Sequence, residues 1–233
     1  METFQDIYDR AAHRKGGEAV IESLLSAPLS ARQLRNLSGD DWLEEFTRKI
    51  FQSGFYWQVI NNKWTGFREV FWDFNIDKLL RMPPEMLEEK STDERIVRNY
   101  NKVKTVPINA AMIYYHQQDH GQAFVDFIAD YPTDQIITLW AHLKKHGARL
   151  GGNTGVYALR TLGKDTFILS HDVEAYLRGH KIIEGGLQTK KSLNAAQYFF
   201  NDLQQHSGRS LQELSYLIAL SVGDNYVGLE PAE

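Results

Sequence analysis

Apolar residues recur at helical spacing along most of the chain. In "DDWLEEFTRKIF", residues 40–51, the apolar positions 42, 43, 46, 50 and 51 follow i, i+3, i+4 spacing behind an aspartate that would cap the helix. Six further segments follow this spacing, and several end in a glycine, as helix C-caps do: residues 109–118, 121–131, 133–147, 153–163, 170–179 and 210–222. The pattern predicts an all-α protein.

Strand-like alternation is scarce, and "DTFIL", residues 165–169, is the best candidate for a strand. The chain has no long linker, no low-complexity tract and no detectable repeat. No break in composition divides it. We therefore expect a single domain over residues 1–233, built from two helical lobes that interleave in sequence.

One helix-patterned stretch is interrupted among its best packing residues. The segment "FQSGFYW", residues 51–57, places a Ser-Gly pair between large aromatic side chains. A glycine inside a helix costs about 1 kcal/mol relative to alanine. The stretch is therefore either a corner between two core helices or a surface loop that presses on something flat.

Composition narrows the class of protein. The chain has 233 residues, of which 42% are apolar and 24% charged, as in a globular protein. It has no apolar run of about 18 residues and no signal-peptide pattern at its start, so we expect a cytoplasmic protein with no membrane partner. Because cysteine is absent, disulfides, thiolate metal sites and thiolate nucleophiles are excluded.

The net charge of −4 argues against a nucleic-acid partner, but the charge is unevenly distributed. Between positions 140 and 164 the chain carries bases and no acid: His142, Lys144, Lys145, His146, Arg149, Arg160 and Lys164. A second basic stretch, "RIVRNYNKVK", supplies Arg95, Arg98, Lys102 and Lys104. The protein is thus locally basic on an acidic background.

The first basic stretch leads into a glycine-rich turn. The segment "HGARLGGNTGVYALRTLGKDTFILSHDV", residues 146–173, runs from a basic helix end through this turn into a second helix and then to an acid. Backbone N–H groups at a helix N-terminus suit a phosphate, and flanking bases would strengthen the grip. The alternative is an ordinary turn between helices.

This segment resembles the helix-hairpin-helix base-excision DNA glycosylases. Gly151, Gly152 and Thr154 match the hairpin, and "KDTFILSHD" resembles the stretch that ends in the catalytic acid, which falls on Asp172. Arg149 stands where the more N-terminal hairpin glycine is usual. The resemblance implies a helix-hairpin-helix glycosylase fold with the active site in the cleft between the two lobes.

Three separated motifs resemble the 3-methyladenine DNA glycosylase I family more specifically. "FQSGFYW" is similar to the family's "FQxGxxW", and "RIVRNYNKVKTVPINA" is similar to its "I-(I/V)-R-x-x-x-K-(I/V)" run ending in Asn-Ala. "FVDFIADY" and "LKKHGARLGGNT" follow in the expected order, so the resemblance covers about residues 40–175. It implies a glycosylase that flips alkylated purines out of double-stranded DNA, with 3-methyladenine as the first candidate.

The resemblance also implies roles for the aromatic stretch. Trp57 would stack on the flipped base, while Phe51 and Tyr56 would line or buttress the pocket. A wedge loop would enter the duplex, formed by Gln52, Ser53, Gly54 and Phe55. The alternative for Trp57 and Phe51 is a plain place in the hydrophobic core.

The chain departs from that family in its pocket and its metal site. Lys49 occupies the place of the family's pocket glutamate, and Glu45 lies one helical turn earlier, where it would reach inward. The family's zinc site of cysteine and histidine cannot form, so no metal or other cofactor is expected. The resemblance leaves room only for a monovalent cation at the hairpin.

Asp172 would stabilise the oxocarbenium-like sugar and orient or deprotonate the attacking water. Its alternative is an ordinary helix N-cap, although Ser170 offers a cap as well. Bifunctional relatives use a hairpin-helix lysine, and Asn153 in the corresponding slot predicts a monofunctional enzyme. Lys145, Arg149 and the N–H groups of residues 151–154 would hold the DNA backbone.

The histidines form two pairs at i, i+4 spacing, His116 with His120 and His142 with His146. Either pair has ligand spacing, but without further ligands nearby in sequence the favoured interpretation is a solvated helix face. His171 adjoins Asp172, which gives it a possible part in DNA contact or capping.

Two other classes of function remain open at this point. The chain could be a helix-hairpin-helix DNA-binding or damage-sensing module that has lost turnover, with Lys49 as the visible loss. It could also be a helical interaction protein that binds no DNA. For the glycosylase we expect a monomer, and other alkylated or deaminated bases stay open as substrates.

Overall fold

A computed structural model describes residues 2–223 of the chain. Helices dominate these residues and no strand occurs among them, which confirms the all-α prediction. The best strand candidate, residues 165–169, is an extended connection instead. Its side chains at Phe167, Ile168 and Leu169 are buried, so the apolar run reflects core packing without strand pairing.

The helices follow one another through short connections. In chain order they are α1 (Phe4–Lys15), α2 (Glu18–Leu24), α3 (Ala31–Leu34), α4 (Gly39–Gln52), α5 (Trp57–Asn62), α6 (Trp64–Val70), α7 (Ile76–Leu80), α8 (Pro84–Thr92), α9 (Tyr100–Val103), α10 (Thr105–His120), α11 (Phe124–Asp130), α12 (Ile136–His146), α13 (Asn153–Thr161), α14 (His171–Gly179), α15 (Lys190–Ser207) and α16 (Leu211–Ser221). Two 3-10 turns, Trp72–Phe74 and Thr133–Gln135, precede α7 and α12.

The chain forms two compact units that interleave in sequence, as predicted. Unit 1 takes the described residues of 1–29, 132–138 and 165–233, and unit 2 takes residues 30–131 and 139–164. Each unit is assembled from separate stretches of the chain that share the same ordinary composition. For this reason no change in composition marks the boundary between the units.

Unit 1 is built around the packing of α1 on α16. A capping box starts α1, with the Thr3 hydroxyl accepting from the Asp6 N–H, and Gly16 ends the helix in the left-handed conformation. Buried apolar side chains from α1, α2 and α16 form one cluster: Tyr8, Ala11, Ala12, Ile21, Leu217 and Leu220. This burial holds the first and last described helices together.

Unit 2 is organised around α4. The helix is capped by Ser38, whose hydroxyl accepts from the Asp41 N–H, so the predicted aspartate cap is wrong. The hydroxyl is short enough to reach the N3 amide, while Asp41 completes the capping box from inside the helix. One face of α4 is fully buried, including Trp42, Phe46 and Phe51, and it packs against α10 and α13.

The helix pair α12 and α13 forms the hairpin predicted from the glycine-rich segment. Gly152 adopts φ +60° and ψ −139°, a conformation that favours glycine. At Gly155 an added Cβ would lie 2.6 Å from the Leu150 carbonyl oxygen, so only glycine allows this close approach. Arg149 has φ +60° and thus keeps the glycine-like backbone conformation with an arginine side chain. The hairpin turn is therefore preserved despite the substitution.

Within residues 2–223, no helix has both the length and the apolar content to cross a membrane.

Candidate active site

A pocket of about 240 Å³ opens in unit 2 where α4 ends. The helix stops at Gln52, the chain turns at Gly54 with φ +82°, and α5 starts at Trp57. The first turn of α13 supplies the opposite wall. The lining residues come from both segments: Lys49, Gln52, Ser53, Trp57, Asn153, Thr154 and Tyr157.

Trp57 stands at this pocket with 54% of its surface exposed, so the alternative of a plain core residue is wrong for it. Its ring meets Tyr157 edge-on, with centroids 6.2 Å apart at 81°. The Lys49 ammonium lies 5.6 Å from the centroid of the indole. An aromatic surface in this position can stack on a planar ligand.

Tyr157 is a pocket residue that the sequence prediction missed. It lies on α13 at i+3 from Thr154 and i+4 from Asn153, and all three line the pocket. Helical spacing places such residues on one face. The sequence could have indicated Tyr157 through this spacing, because it shares a helix face with the hairpin residues Asn153 and Thr154.

The two other aromatics of the stretch lie elsewhere. Phe51 is fully buried and packs against Phe67 at 4.6 Å between centroids, so it supports the end of α4 from the core. Tyr56 is 87% exposed and is not among the pocket-lining residues. Of the predicted roles, lining or buttressing the pocket, Phe51 has the buttressing one, whereas Tyr56 does not line the pocket.

The residue in place of the family's glutamate is neutralised internally. Lys49 Nζ lies 3.0 Å from Glu45 Oε1, and Arg48 Nε lies 3.4 Å from Glu45 Oε2. Glu45 is buried, as the prediction of an inward-reaching side chain required, but it is not among the pocket-lining residues. The carboxylate therefore acts through Lys49.

Gln52 belongs to the pocket wall and not to a projecting wedge. It is buried in the last turn of α4, and its amide nitrogen donates to Asn61 Oδ1 at 3.1 Å. Its buried carbonyl oxygen has no hydrogen-bond partner among the described residues. A buried acceptor without a partner beside a pocket is suited to receive a hydrogen bond from a ligand.

The rest of the predicted wedge is exposed and held from beneath. Ser53, Gly54 and Phe55 form the loop after α4. The buried ammonium of Lys102 donates to the carbonyl oxygens of Phe51 and Ser53 and lies 4.5 Å from the Phe55 ring centroid. Burial, together with the charge of Arg149, lowers the pKa of Lys102 to about 8.

Asn109 fixes the hairpin turn, as Lys102 fixes the loop after α4. Its side chain is fully buried, accepts from the Ala148 N–H at 2.7 Å and donates to the Ala148 carbonyl oxygen at 3.2 Å. The quoted motif "RIVRNYNKVKTVPINA" thus contributes one side chain that fixes the loop after α4 and one that fixes the hairpin turn. The motif was recognised in the sequence, but these two roles were missed.

The exposed charges of the hairpin are fewer than the sequence suggested. Lys145 and Arg149 are exposed, as predicted for residues that meet DNA. Lys164 is buried and donates to the Tyr131 carbonyl oxygen at 2.6 Å. In the second basic stretch Lys102 is buried and Arg95 is paired with Asp93 at 2.7 Å. Basic residues near in sequence here divide between structural and surface roles.

Asp172 lies in unit 1, in the first turn of α14. Ser170 caps this helix through its hydroxyl, which accepts from the Val173 N–H, so Asp172 is not the N-cap. His171 is 97% exposed, with Nδ1 3.7 Å from Asp172 Oδ1, and it does not cap the helix either. A Cβ added at Gly223 would lie 2.5 Å from Asp172 Oδ1.

Asp172 lies close to two sources of positive potential. The buried Lys15 side chain interacts with it through space, and the helix N-terminus adds positive potential. Burial is the main cause that lowers the pKa of Lys15, and the Asp172 charge opposes it. A partly exposed carboxylate held in this way can stabilise a developing positive charge.

The interpretation of two solvated helix faces is wrong for His116, which is buried, whereas His120 is exposed. His116 is 1% exposed, and its ring lies 4.7 Å from that of His120 and 5.3 Å from that of His142. His146 stacks on His142 at 4.4 Å. Burial lowers the pKa of His142 to about 4. Two pairs that are separate in sequence meet because the last turns of α10 and α12 lie next to each other.

Comparison with known proteins agrees with this architecture. Residues 38–149 match the family described as methyladenine glycosylase. DNA-3-methyladenine glycosylase 1 of Escherichia coli K12 is 29% identical over 84 residues, which are 36% of this chain and 44% of that protein. The alignment with this curated relative thus spans less than half of its length.

Two crystal structures of the 8-oxoguanine glycosylase of Methanocaldococcus jannaschii share the fold over nearly the whole chain. One covers 92% of this chain and 92% of its own, with a TM-score of 0.56 and 17% identity. The other, a complex with 15mer DNA containing 8-oxoguanine, covers 91% and 95%, with a TM-score of 0.54 and 16% identity. The predicted fold is confirmed by these structures, and the resemblance to methyladenine glycosylases is confirmed over residues 38–149.

Proposed function

We propose that this protein is a DNA glycosylase that hydrolyses the N-glycosidic bond of alkylated purines, with 3-methyladenine as the first candidate. The observation that carries the proposal is the half-exposed Trp57 at the pocket formed by α4, α5 and α13. Most of this pocket lies inside the segment that matches methyladenine glycosylases. An enzyme that acts on a base must take it out of the duplex and hold it in such a pocket.

The pocket offers complementary contacts to a purine. The Trp57 indole supplies a stacking face, and stacking of one base on an aromatic side chain is worth about 1–3 kcal/mol. The unpartnered Gln52 oxygen can accept from the exocyclic amino group of an adenine. We expect a Gln52→Glu variant to retain this acceptor and a Gln52→Met variant to lose it.

Lys49 affects the electrostatic interaction of the pocket with a cationic base. Alkylation at N3 gives the purine a positive charge, which gains from an aromatic face but is repelled by an ammonium. Glu45 offsets the Lys49 charge at 3.0 Å, so the pair presents N–H donors with little net charge. The positive base is already a good leaving group, so strong acid catalysis on it is not needed.

We assign Asp172 as the carboxylate that stabilises the oxocarbenium-like sugar and orients or deprotonates the attacking water. Its role in the helix is separable from this chemistry, because Ser170 provides the cap. Asp172→Asn is expected to fold and bind DNA like the parent but to release bases at least about 100-fold more slowly. An unchanged rate of base release would refute the assignment.

We further expect a monofunctional enzyme that acts as a monomer on duplex DNA. The hairpin residue in the slot of the Schiff-base lysine of bifunctional relatives is Asn153, which has no amine to form an imine. Borohydride treatment of a reaction mixture should therefore trap no covalent complex. A trapped complex would require another amine, and Lys49 would then be the first residue to replace.

The DNA would be held at the hairpin. Lys145 and Arg149 are exposed there, and Gly152, the N-cap of α13, makes no side-chain cap hydrogen bond. The N-terminus of a helix favours phosphate oxygens. DNA binding is therefore compatible with the net charge of −4, because only the basic surface of the hairpin would contact the DNA phosphates.

The deciding experiment is chromatography of the bases released from methylated duplex DNA. The parent should release 3-methyladenine, whereas Asp172→Asn and Trp57→Ala should release far less. Release of 3-methylguanine, 7-methylguanine or a deaminated base instead would change the substrate and keep the enzyme class. No release of any base from methylated, deaminated or oxidised duplexes would exclude a glycosylase.

A specific observation also favours a second candidate, a non-catalytic helix-hairpin-helix module that senses damage. The place of the family's pocket glutamate holds Lys49, already paired with Glu45. Such a module would bind a duplex with an abasic site in preference to an intact one and release no base. The base-release experiment separates the two candidates directly.

A further inference from the structure

Four histidines from two helices of unit 2 come together in one cluster. His116 and His120 are one turn apart near the end of α10, and His142 and His146 are one turn apart at the end of α12. The ring centroid of His120 lies 5.0 Å from that of His142 and 4.9 Å from that of His146. Such convergence of imidazoles on neighbouring helices is the arrangement from which helical metal sites are built.

Three of these rings bring their nitrogens close to one another. Ligand nitrogens of His116, His120 and His142 all lie within 4.8 Å of each other. A tetrahedral zinc ion with Zn–N bonds of about 2.0–2.1 Å needs nitrogens about 3.3 Å apart. Modest rotations of the rings would close this difference.

Two of the nitrogens lack the partner that a buried polar atom normally has. His116 Nε2 and His142 Nε2 are buried and have no hydrogen-bond partner among the described residues. Buried polar side-chain atoms are usually satisfied, so unsatisfied ones call for an explanation such as a missing ion. Two of them in one cluster of potential ligands point to the same ion.

The opposite nitrogen of His116 is already oriented as a metal ligand requires. His116 Nδ1 lies 2.7 Å from the Gln122 carbonyl oxygen, to which it can only donate. This contact places the proton on Nδ1 and leaves the lone pair of Nε2 directed to the cluster. A backbone carbonyl that accepts from the far nitrogen is the usual support of a metal-bound histidine.

The surroundings combine an apolar wall with access from solvent. Phe127 packs on His116 at 4.6 Å and on His142 at 4.7 Å, which excludes water from one side. On the other side His120 and His146 line an open groove of about 390 Å³ that also contains Asp119. An ion could therefore reach the nitrogens, and the carboxylate would attract it.

We propose that His116, His120 and His142 bind one divalent transition-metal ion, with zinc as the first candidate. Three neutral imidazoles suit zinc, copper, nickel and cobalt, and they disfavour magnesium and calcium, which prefer oxygen ligands. The site differs in composition from the cysteine-containing zinc site implied by the family resemblance, because it uses histidines alone.

The bound ion would link α10 to α12 next to the hairpin. His146 is the last residue of α12, and the turn that Asn109 of α10 fixes begins directly after it. A metal cross-link at this end would restrict the opening of α12 away from α10. Metal binding is thus expected to stabilise the hairpin without taking part in the chemistry of the pocket.

The test uses untagged full-length protein stripped with a chelator and titrated with ZnCl₂ and CoCl₂. We expect one equivalent of zinc to bind, a rise in the melting temperature, and the strong visible absorption of tetrahedral cobalt. Hydrogen exchange should slow for the amides of residues 142–152. These readouts do not depend on glycosylase activity, so they stand or fall separately from the proposed function.

His120→Gln and His142→Gln should each weaken zinc binding at least about tenfold. His120 is the safer of the two, because it is exposed and its replacement is expected to leave the fold intact. His206→Gln, on the exposed surface of α15, is the matched control and should bind as the parent does. Absence of stoichiometric binding by the parent, or equal affinity in His120→Gln, would overturn the proposal.

Discussion

The end of α4 and the histidine cluster treat their buried polar groups in opposite ways. At the end of α4 the buried Glu45 carboxylate has Lys49 at 3.0 Å and Arg48 at 3.4 Å, so its charge is compensated within the protein. In the cluster, His116 Nε2 and His142 Nε2 have no such partners among the described residues. Glu45 Oε1 and Arg48 Nε also lack a hydrogen bond of regular geometry, so the difference between the regions lies in the opposite charges that meet at the end of α4.

This difference separates an ion pair inside the fold from the histidines that we propose as metal ligands. Removing one partner of a buried pair leaves an uncompensated charge, whereas removing an unpaired imidazole loses mainly packing. At the pocket, the buried Gln52 carbonyl oxygen has no hydrogen-bond partner among the described residues. The pocket is therefore suited to a base, and the cluster to a cation.

The largest effect is expected from a substitution that removes the ion pair between Lys49 and Glu45 in α4. Lys49→Met should lower the free energy of unfolding by about 2–4 kcal/mol, because Glu45 stays buried with only Arg48 beside it. In metal-free protein, His142→Gln should lower the free energy of unfolding clearly less than Lys49→Met does. Chemical denaturation measures both changes.

Arg98→Met is the matched control for Lys49→Met, since its pair with Glu94 is exposed and 4.0 Å long. It should change the free energy of unfolding by less than about 0.5 kcal/mol. A Lys49→Met variant as stable as this control would show that the internal pair contributes nothing, and the contrast between the two regions would fail.

The next effect concerns the open aromatic face. Trp57→Ala should weaken binding to a duplex with an abasic site plus free 3-methyladenine by about 1–3 kcal/mol, because a stacking face is lost. Tyr56→Ala, at the neighbouring exposed residue outside the pocket, should have a smaller effect. Fluorescence anisotropy gives the affinities. Equal losses in both variants would mean that Trp57 provides no specific stacking.

A smaller effect is expected on the salt dependence of DNA binding. Each neutralised phosphate contributes about −0.9 to the slope of log affinity against log salt. Lys145→Ala combined with Arg149→Ala should therefore flatten the slope by about one to two units, equally for intact and damaged duplexes. Single-turnover base release at saturating DNA should persist, since these residues do not line the pocket.

Arg95→Ala is the control for the salt experiment, because Arg95 is paired with Asp93 and Glu69 and has little charge to offer DNA. Its slope should equal that of the parent. The opposite result, a slope changed only by Arg95→Ala, would move the DNA surface to the second basic stretch.

The smallest effect is a pH dependence at Lys102. Its pKa of about 8 in the folded protein lies below the value of about 10.4 in an unfolded chain. Between these values the unfolded chain binds more protons, so the folded state gains stability as the pH rises. Relative to Lys102→Met, the parent should gain stability from about pH 8 to about pH 10 and lose this advantage as the pH falls.

Denaturation of the two proteins at several pH values checks the sign. A difference that stays constant with pH would show that Lys102 keeps an ordinary pKa. Unlike the two unpartnered histidine nitrogens, the Lys102 ammonium donates to two carbonyl oxygens, and burial together with the charge of Arg149 lowers its pKa.

The sequence by itself determined the helical class, the interleaving of the two units and the break at Gly54. These follow from local rules, since apolar spacing, capping residues and glycine act over a few neighbouring positions. It also indicated the hairpin, and the structure kept that turn even at Arg149, where φ is +60°. Trp57 at the pocket was predicted from its motif alone.

Tertiary structure alone decided which side chains of each motif face the pocket and which face the core. Gln52 was predicted as part of the wedge and Phe51 directly precedes it, but burial of the last turn of α4 places Phe51 in the core and Gln52 in the pocket wall. Lys102 and Lys164 became internal donors because nearby carbonyl groups needed partners.

The histidine cluster shows the same limit most clearly. Spacing identified two pairs of histidines, His116 with His120 and His142 with His146, but it could not place one pair beside the other. Their meeting depends on how α10 packs against α12, a contact between residues more than 20 positions apart in the chain. Local sequence rules reach only a few residues, whereas a ligand set is assembled by packing across the whole unit.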